Sequence, residues 1–377
     1  MYEAGVAMYE DRRYDDTRAG DRPGRGGRTL VVLVSVVVAV VALFGFRGGL
    51  PHWAVGEPTA TLLGPPLPPM DPAAVASTIE PHLANVNVAL RPAGTSAAGS
   101  GIVLTADGEV LTSHHVVKGA DSITVGDIGT GGQYSATVLG YDSDADIALL
   151  ALSRAGGLPV ARIGSSGALR IGDEVLAVGN AGGTGSPTAT PGTVTGLDSS
   201  IVARNSADYS RKELTGMVEI AAPVTSGQSG GALADRYGAV VGVITAATGD
   251  VSKAAGRASG YAVPIDRAMG VVRQIRSGTA TETVHVGPTA TLGVITQDAK
   301  PSGARIESAL YGTPAYAAGL SEGEVITGID GREIGSVRAL KAALNLRKPN
   351  DSVHLDVLDA DGSQRSVVVV LAPGPPN

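Results

Sequence analysis

The sequence predicts a mainly β protein: a long all-β body, a smaller α+β region behind it, and one apolar segment near the start. Three observations carry this. From about residue 71 to 278, short Val-rich runs recur between Gly-, Asp- and Pro-centred turns without long helical periodicity. After residue 283, strands of the same kind alternate with two short helical stretches. Thr29 to Phe46 holds no charged residue over eighteen positions, which as a helix reaches about 27 Å, close to the hydrocarbon core of a bilayer.

The elements follow in chain order. Residues 1–28 are polar, with six arginines balanced by acids, and are expected to be a disordered tail. Residues 29–46 are expected to be a transmembrane helix rather than a cleaved signal: such apolar cores are usually shorter, and no small-residue cleavage motif lies close behind. Arg12, Arg13, Arg18, Arg22, Arg25 and Arg28 against the single flanking Arg47 predict a cytoplasmic N-terminus, with the rest of the chain outside. Residues 47–72 carry seven prolines and read as a stiff spacer.

In the body, GIVLTADGEVLTS is a hairpin signal around Ala106, Asp107 and Gly108. EVLAVG, MVEIAAPV and GALADRYGAVVGVIT extend the pattern, the last with a turn at Asp235 to Gly238. YAVPIDRAMGVVRQIRSG then changes period, with Ile265, Met269, Val272 and Ile275 on one helical face behind Pro264. An all-β body closed by one helix suggests paired barrels or a sandwich. The third region alternates GARIES, EVITGID, SVHLDVLD and SVVVVLA with the helical TPAYAAGL and SVRALKAALN, and Gly278 to Thr281 offers a boundary.

Composition narrows the chemistry. Hydrophobic residues make up 43% of the chain, which excludes wholesale disorder, and a net charge of -7 argues against nucleic acid as a partner. There is no cysteine, so disulfides, thiol nucleophiles and Cys-based zinc sites are all removed. Six histidines without an H-E-x-x-H leave little for a metal centre, and no cofactor is predicted. His285 and His354 lie in apolar strand patterns and read as structural; His52 and His82 sit near prolines without a partner pattern. Both phenylalanines, Phe44 and Phe46, fall in the apolar segment, so the folded core is built from Val, Ile, Leu, Ala and some Tyr.

One stretch asks for chemistry. TSGQSGGAL sets Ser229 between Gly227 and Gln228 on one side and Gly230 and Gly231 on the other. Glycines permit a tight loop that exposes a hydroxyl, and equally a mere flexible turn. To activate a serine, a neighbouring base must itself be oriented by a third group. VLTSHHVV supplies His114 and His115 at an expected strand end, where adjacent side chains diverge and only one can face a given cleft. YDSDADIALLAL supplies three aspartates. Asp146 runs straight into an apolar strand, where a carboxylate needs a donor such as an imidazole, while Asp142 and Asp144 fit a solvated turn.

Thr112 to Val116, Asp146 to Leu150 and Gly227 to Gly231, in that order and spacing, resemble a trypsin-like serine protease of the HtrA/DegP type. The resemblance implies a chymotrypsin-like double β-barrel over residues 73–278 with His115 as general base, Asp146 as its orienting acid and Ser229 as nucleophile. It further implies an oxyanion hole from the N–H groups of Gly227 and Ser229. Val178 to Gly183 and GYAVPID are similar to later stretches of the same family. Gln228 is neutral where digestive relatives carry an acid, so activation by a freshly cut N-terminus is not expected. Ala221 to Thr225 hold no carboxylate for a bound Lys or Arg, which favours a small apolar P1 residue.

Residues 283–373 resemble a PDZ domain, implying that Leu292, Gly293 and Val294 hold a peptide C-terminus while Val337, Leu340 and Lys341 line the groove. Together these features imply a membrane-anchored serine endopeptidase of the bacterial cell envelope that cleaves unfolded or damaged polypeptides. The alternative is a catalytically idle PDZ adaptor or chaperone at the membrane. The family's trimers clasp through aromatic residues near the start of the protease domain. No phenylalanine occurs here after the apolar segment, so homo-oligomerisation is left open.

Overall fold

The computed structural model describes residues 68–90, 94–204, 211–245, 259–359 and 361–377. The expected tail, the apolar segment 29–46 and most of the Pro-rich spacer lie outside them. Among the described residues, no helix is long and apolar enough to cross a membrane.

Asp71 opens the fold by capping helix α1 (Pro72–Ile79), accepting from the amides of Ala73 and Ala74 while Pro72 takes the first position, where no amide is needed. The chain then lays down β1 (Leu83–Leu90), β2 (Thr95–Val103), β3 (Glu109–Thr112), the short helix α2 (His114–Val117), β4 (Ala120–Asp127), β5 (Gln133–Asp142) and β6 (Ile147–Leu152). The Ala106–Gly108 hairpin forms as the sequence predicts, with Ile102 opposite Leu111. The strands run β5-β4-β1-β2-β3-β6, and pairing of β5 with β6 closes the ring. Val86, Val103, Val110, Val125, Leu150 and Tyr141 fill one apolar cluster of this barrel.

A second ring follows: β7 (Glu174–Gly179), β8 (Thr188–Arg204), β9 (Arg211–Ile220), β10 (Ala232–Asp235), β11 (Val240–Thr245) and β12 (Gly260–Pro264), closed in the order β10-β11-β12-β9-β8-β7. Its β10–β11 turn is held by Asp235, whose carboxylate accepts from the amides of Tyr237 and Ala239. Helix α3 (Ile265–Arg276) buries Ile265, Ala268, Val271, Val272 and Ile275. These residues, with Val75 and Ile79 of α1, join one cluster that includes Ile102 and Leu149 of the first barrel and Leu176 and Val243 of the second. Paired barrels, not a sandwich, are what the strand-rich body forms.

Past Gly278, β13 (Val284–Val286) does not begin a separate sheet. It adds to the edge of the first barrel, with His285 opposite Tyr141 of β5. The chain continues through β14 (Thr289–Thr291), β15 (Val294–Asp298), β16 (Ala304–Ala309), helix α4 (Pro314–Ala317), β17 (Val325–Ile329), β18 (Arg332–Glu333), helix α5 (Val337–Asn345), β19 (Ser352–Leu358), β20 (Gln364–Val370) and β21 (Ala372–Gly374). The sheet order β15-β16-β17-β19-β20 leaves β15 at an edge. Ile306, Ile326, Leu340, Leu355 and Val369 form this region's own core.

Three local expectations are corrected. His114 and His115 open α2 rather than end a strand, because the chain turns at Ser113. Asp142 is buried rather than solvated: its carboxylate accepts from the amides of Asp144 and Ala145, and burial pushes its carboxyl pKa up. His354 stands on the solvent face of β19, since strand alternation turns its neighbours Val353 and Leu355 inward.

Candidate active site

Asp146 ends the turn that precedes β6 in a left-handed conformation, φ 56°, which few non-glycine residues adopt. Hydrogen bonds from both barrels hold it there. The His114 amide donates to its carbonyl at 3.1 Å and the His115 amide to its Oδ1 at 2.9 Å. His115 Nδ1 lies 2.8 Å from Oδ2, and Thr245 Oγ1, at the end of β11, donates to the same oxygen at 3.2 Å. Asp146 is 4% exposed, and both its carboxylate oxygens are engaged.

Burial alone would raise the Asp146 carboxyl pKa, but the charge and hydrogen bonds of His115 outweigh it and hold the group below its usual range. For His115 the balance is reciprocal. Burial opposes protonation, yet the charge and hydrogen bond of Asp146 prevail and lift the imidazole above its usual value. With Nδ1 engaged by the carboxylate, the tautomer protonated at Nδ1 leaves Nε2 as a base.

Close contacts dictate the glycines around Ser229. A Cβ on Gly227 (φ 92°) would lie 2.2 Å from the Asn180 carbonyl oxygen, and one on Gly230 (φ 83°) 2.2 Å from that of Ser100. The loop therefore threads between β2 and the end of β7 where no side chain fits. Ser100 is its hub: its amide donates to Ser229 O at 2.7 Å, and its hydroxyl donates to Gly227 O and accepts from the Asn180 amide, each at 2.8 Å. The carbonyl of Ile244 accepts from Gly230 N at 2.7 Å and from Ser113 Oγ at 3.1 Å. One acceptor thus ties the Ser229 loop to the segment leading into His115.

Gln228 is fully buried and braces this loop. Its carbonyl accepts from the Thr225 amide at 2.9 Å, and its amide nitrogen donates to Thr188 O and Thr190 Oγ1 at 3.2 Å each. Sequence reasoning did not find Ser100 or Thr245. Thr245 had a weak signal, a hydroxyl closing the apolar run of β11; Ser100, in a Gly-Ser-Gly stretch, had none.

In the C-terminal region, Gly293 (φ 81°) packs so closely that a Cβ would sit 2.2 Å from Thr313 Cβ. The carbonyls of Leu292 and Gly293 accept from the amides of Ala315 and Leu310, each at 2.9 Å. Val294 starts the edge strand β15, and Asp298 at its end accepts from the Val337 amide at 2.7 Å, pinning α5 beside it. Leu292 and Leu340 are buried in the core beneath, with Val337 packed partly against it. Lys341, expected along the groove, lies instead within electrostatic reach of Asp142 and Asp144, where burial, then Lys212 and Lys118, lower its amine pKa to about 8. Beside it, Arg338 pairs with Asp144 at 2.9 Å. Buried His285 meets the Asn345 carbonyl through Nδ1 at 3.1 Å, as the structural reading expects. Among the described residues, no group of three or more His, Asp and Glu side chains is placed to hold a metal ion.

Residues 99–243 match the trypsin-like peptidase domain family, and residues 284–358 match the PDZ domain family. Serine protease PepD of Mycobacterium tuberculosis is 31% identical over 370 residues, covering 92% of this chain and 76% of that protein. A probable periplasmic serine protease do/HhoA-like of Haemophilus influenzae is 31% identical, covering 72% of this chain. This chain spans only 58% of the Haemophilus protein's length. A solved HtrA-type protease, AlgW with tripeptide, is 27% identical with a TM-score of 0.46, covering 81% of this chain and 98% of its own.

Proposed function

Because this chain belongs to the HtrA/DegP-type trypsin-like serine proteases that carry a PDZ domain, we propose that it is an endopeptidase acting through Ser229, His115 and Asp146. The observation that carries the reading is the His115–Asp146 bond, 2.8 Å long and buried on its acid side, tied through Ile244 O to the glycine-built loop that holds Ser229. His115 takes the Ser229 proton as the hydroxyl attacks the scissile carbonyl, then returns it to the leaving amine. Asp146 fixes the tautomer and stabilises the imidazolium. The N–H groups of Gly227 and Ser229 receive the oxyanion, and losing one such donor costs about 3 kcal/mol of transition-state stabilisation.

A small apolar P1 residue suits the segment ahead of the serine. Val224 is 2% exposed and packs against Gly260, and no carboxylate lies between Ala221 and Thr225. The C-terminal region takes peptide C-termini as an added strand beside β15, with Leu292, Gly293 and Val294 at the carboxylate and Val337 and Leu340 below the side chains. Residues 29–46 anchor the chain, with the N-terminus cytoplasmic and the catalytic part extracytoplasmic. That siting agrees with the periplasmic label of the Haemophilus relative. Unfolded or damaged envelope polypeptides are the substrates.

Mass-spectrometric mapping of cleavage sites in denatured casein, by the full chain and by Ser229→Ala, tests the reading. Cuts after Val or Ala that vanish in the variant support it. Absence of cutting by the unaltered chain supports an idle adaptor instead. Retention in membranes after carbonate washing tests the anchor.

A further inference from the structure

His114 has no part in the proposed proton transfers, yet it stands where they are set up. It opens α2, a four-residue helix, and helices this short do not persist on their own. The hydroxyl of Ser113, the residue that would cap α2, is committed to Ile244 O. The His114 ring is 4% exposed and stacks on the fully buried Tyr141, with centroids 4.6 Å apart and planes at 27°. Tyr141 also meets His285, 5.1 Å away. His114 Nε2 is buried and has no hydrogen-bond partner among the described residues, a desolvation cost that an apolar ring would not carry.

We propose that His114 is a positioning residue for the His115–Asp146 pair: its ring, clamped on Tyr141, fixes the single helical turn on which His115 rides, while its amide holds the Asp146 carbonyl. This rests on the roles assigned above to His115 and Asp146. The groups around the ring suit a neutral filler. Burial first, and then Lys341 of α5, Lys212 of β9 and Lys118 at the end of α2, oppose its protonation, against the single pull of Asp146. The ring stays uncharged, and the Asp146 charge is left to His115. The left-handed backbone of Asp146 needs such support, because its side-chain bonds to His115 hold only while α2 keeps its place.

The test compares His114→Ala, which removes the stack, with His114→Phe, which keeps it. In the full chain, kcat and KM are measured on a peptide substrate. In parallel the His115 ring is titrated by NMR in a Ser229→Ala background, which needs no activity. His114→Ala is expected to lower kcat roughly tenfold or more with KM within about twofold, and to lower the His115 titration midpoint by about half a pH unit or more. His114→Phe is expected to restore both. If His114→Ala does not fold, Tyr141→Leu, which keeps an apolar side chain there and loses the stack, carries the same expectation. A folded variant that loses thermal stability but keeps kcat and the His115 midpoint overturns the proposal, and so does failure of Phe to restore them. If the unaltered chain shows no peptidase activity, the enzymatic reading fails and the titration still decides the positioning.

Discussion

Replacing Gly227 by alanine perturbs the proposed oxyanion hole with the smallest side chain available. The new Cβ would lie 2.2 Å from the Asn180 carbonyl oxygen, and 2.9 and 3.0 Å from the amide nitrogens of Gly183 and Gly182. Relief to an ordinary contact of 3.4 Å requires a displacement of about 1.2 Å (3.4 minus 2.2). Asn180 cannot supply it, since its amide donates to Ser100 and its carbonyl accepts from Gly183 N. Residue 227 must move instead, and at φ 92° an L side chain adds about 1–2 kcal/mol of backbone strain. A donor shifted by an ångström no longer reaches the oxyanion, so kcat should fall by about 10²–10³, or ~3–4 kcal/mol. KM should change little, because the ground-state carbonyl does not need that donor. Steady-state hydrolysis of a peptide substrate reads both constants. A kcat/KM within about threefold of the unaltered chain would refute the placement of the oxyanion at Gly227.

Four further outcomes follow from the structure. Asp146→Asn should cut kcat by about 10⁴, because its amide would face Nδ1 and favour the tautomer that leaves no base toward Ser229; a loss of less than about tenfold would count against the pair. The acid limb of kcat/KM should have its midpoint above about 6.5, because Asp146 raises the His115 pKa and activity is lost as falling pH protonates the ring. In stability, the same pair gives His115 a contribution complete below its unfolded pKa and lost as pH rises through its raised folded value. Asp146 contributes above its unfolded pKa, and that contribution is lost as pH falls through its lowered folded value, so a urea-stability profile in Asp146→Asn should lack both. Gly293→Val, which sets side-chain atoms against Thr313, should weaken binding of a C-terminal peptide by about tenfold or more in Kd while casein cleavage persists; unaltered titration calorimetry would remove Gly293 from the peptide site.

The strand-rich body was legible because short Val-rich runs and turn residues repeat in a pattern that only strands satisfy, and the Ala106–Gly108 hairpin formed, whereas the pattern alone left barrels or a sandwich open. Asp146 was legible for a physical reason: a carboxylate entering an apolar strand demands a donor, and His115 provides it. The position of His114 was not legible, since a four-residue helix has no periodicity to read. Asp142 was misjudged because an Asx turn solvates its own carboxylate with backbone amides, which lets it be buried. Ser100 and Thr245 act across sequence separations of 127 and 99 residues; nothing local marks Ser100, and a hydroxyl closing an apolar run is all that marks Thr245. The addition of β13 to the first barrel depends on which sheet edge lies open, a property of the folded topology.

Fluorophosphonate labelling of the native full chain, with the adduct located by mass spectrometry, probes the joined action of base, acid and amides at one hydroxyl. A single adduct at Ser229, lost in Ser229→Ala and strongly slowed in Asp146→Asn, is the predicted result. An unlabelled Ser229 in a correctly folded chain, or labelling indifferent to Asp146, would contradict the account.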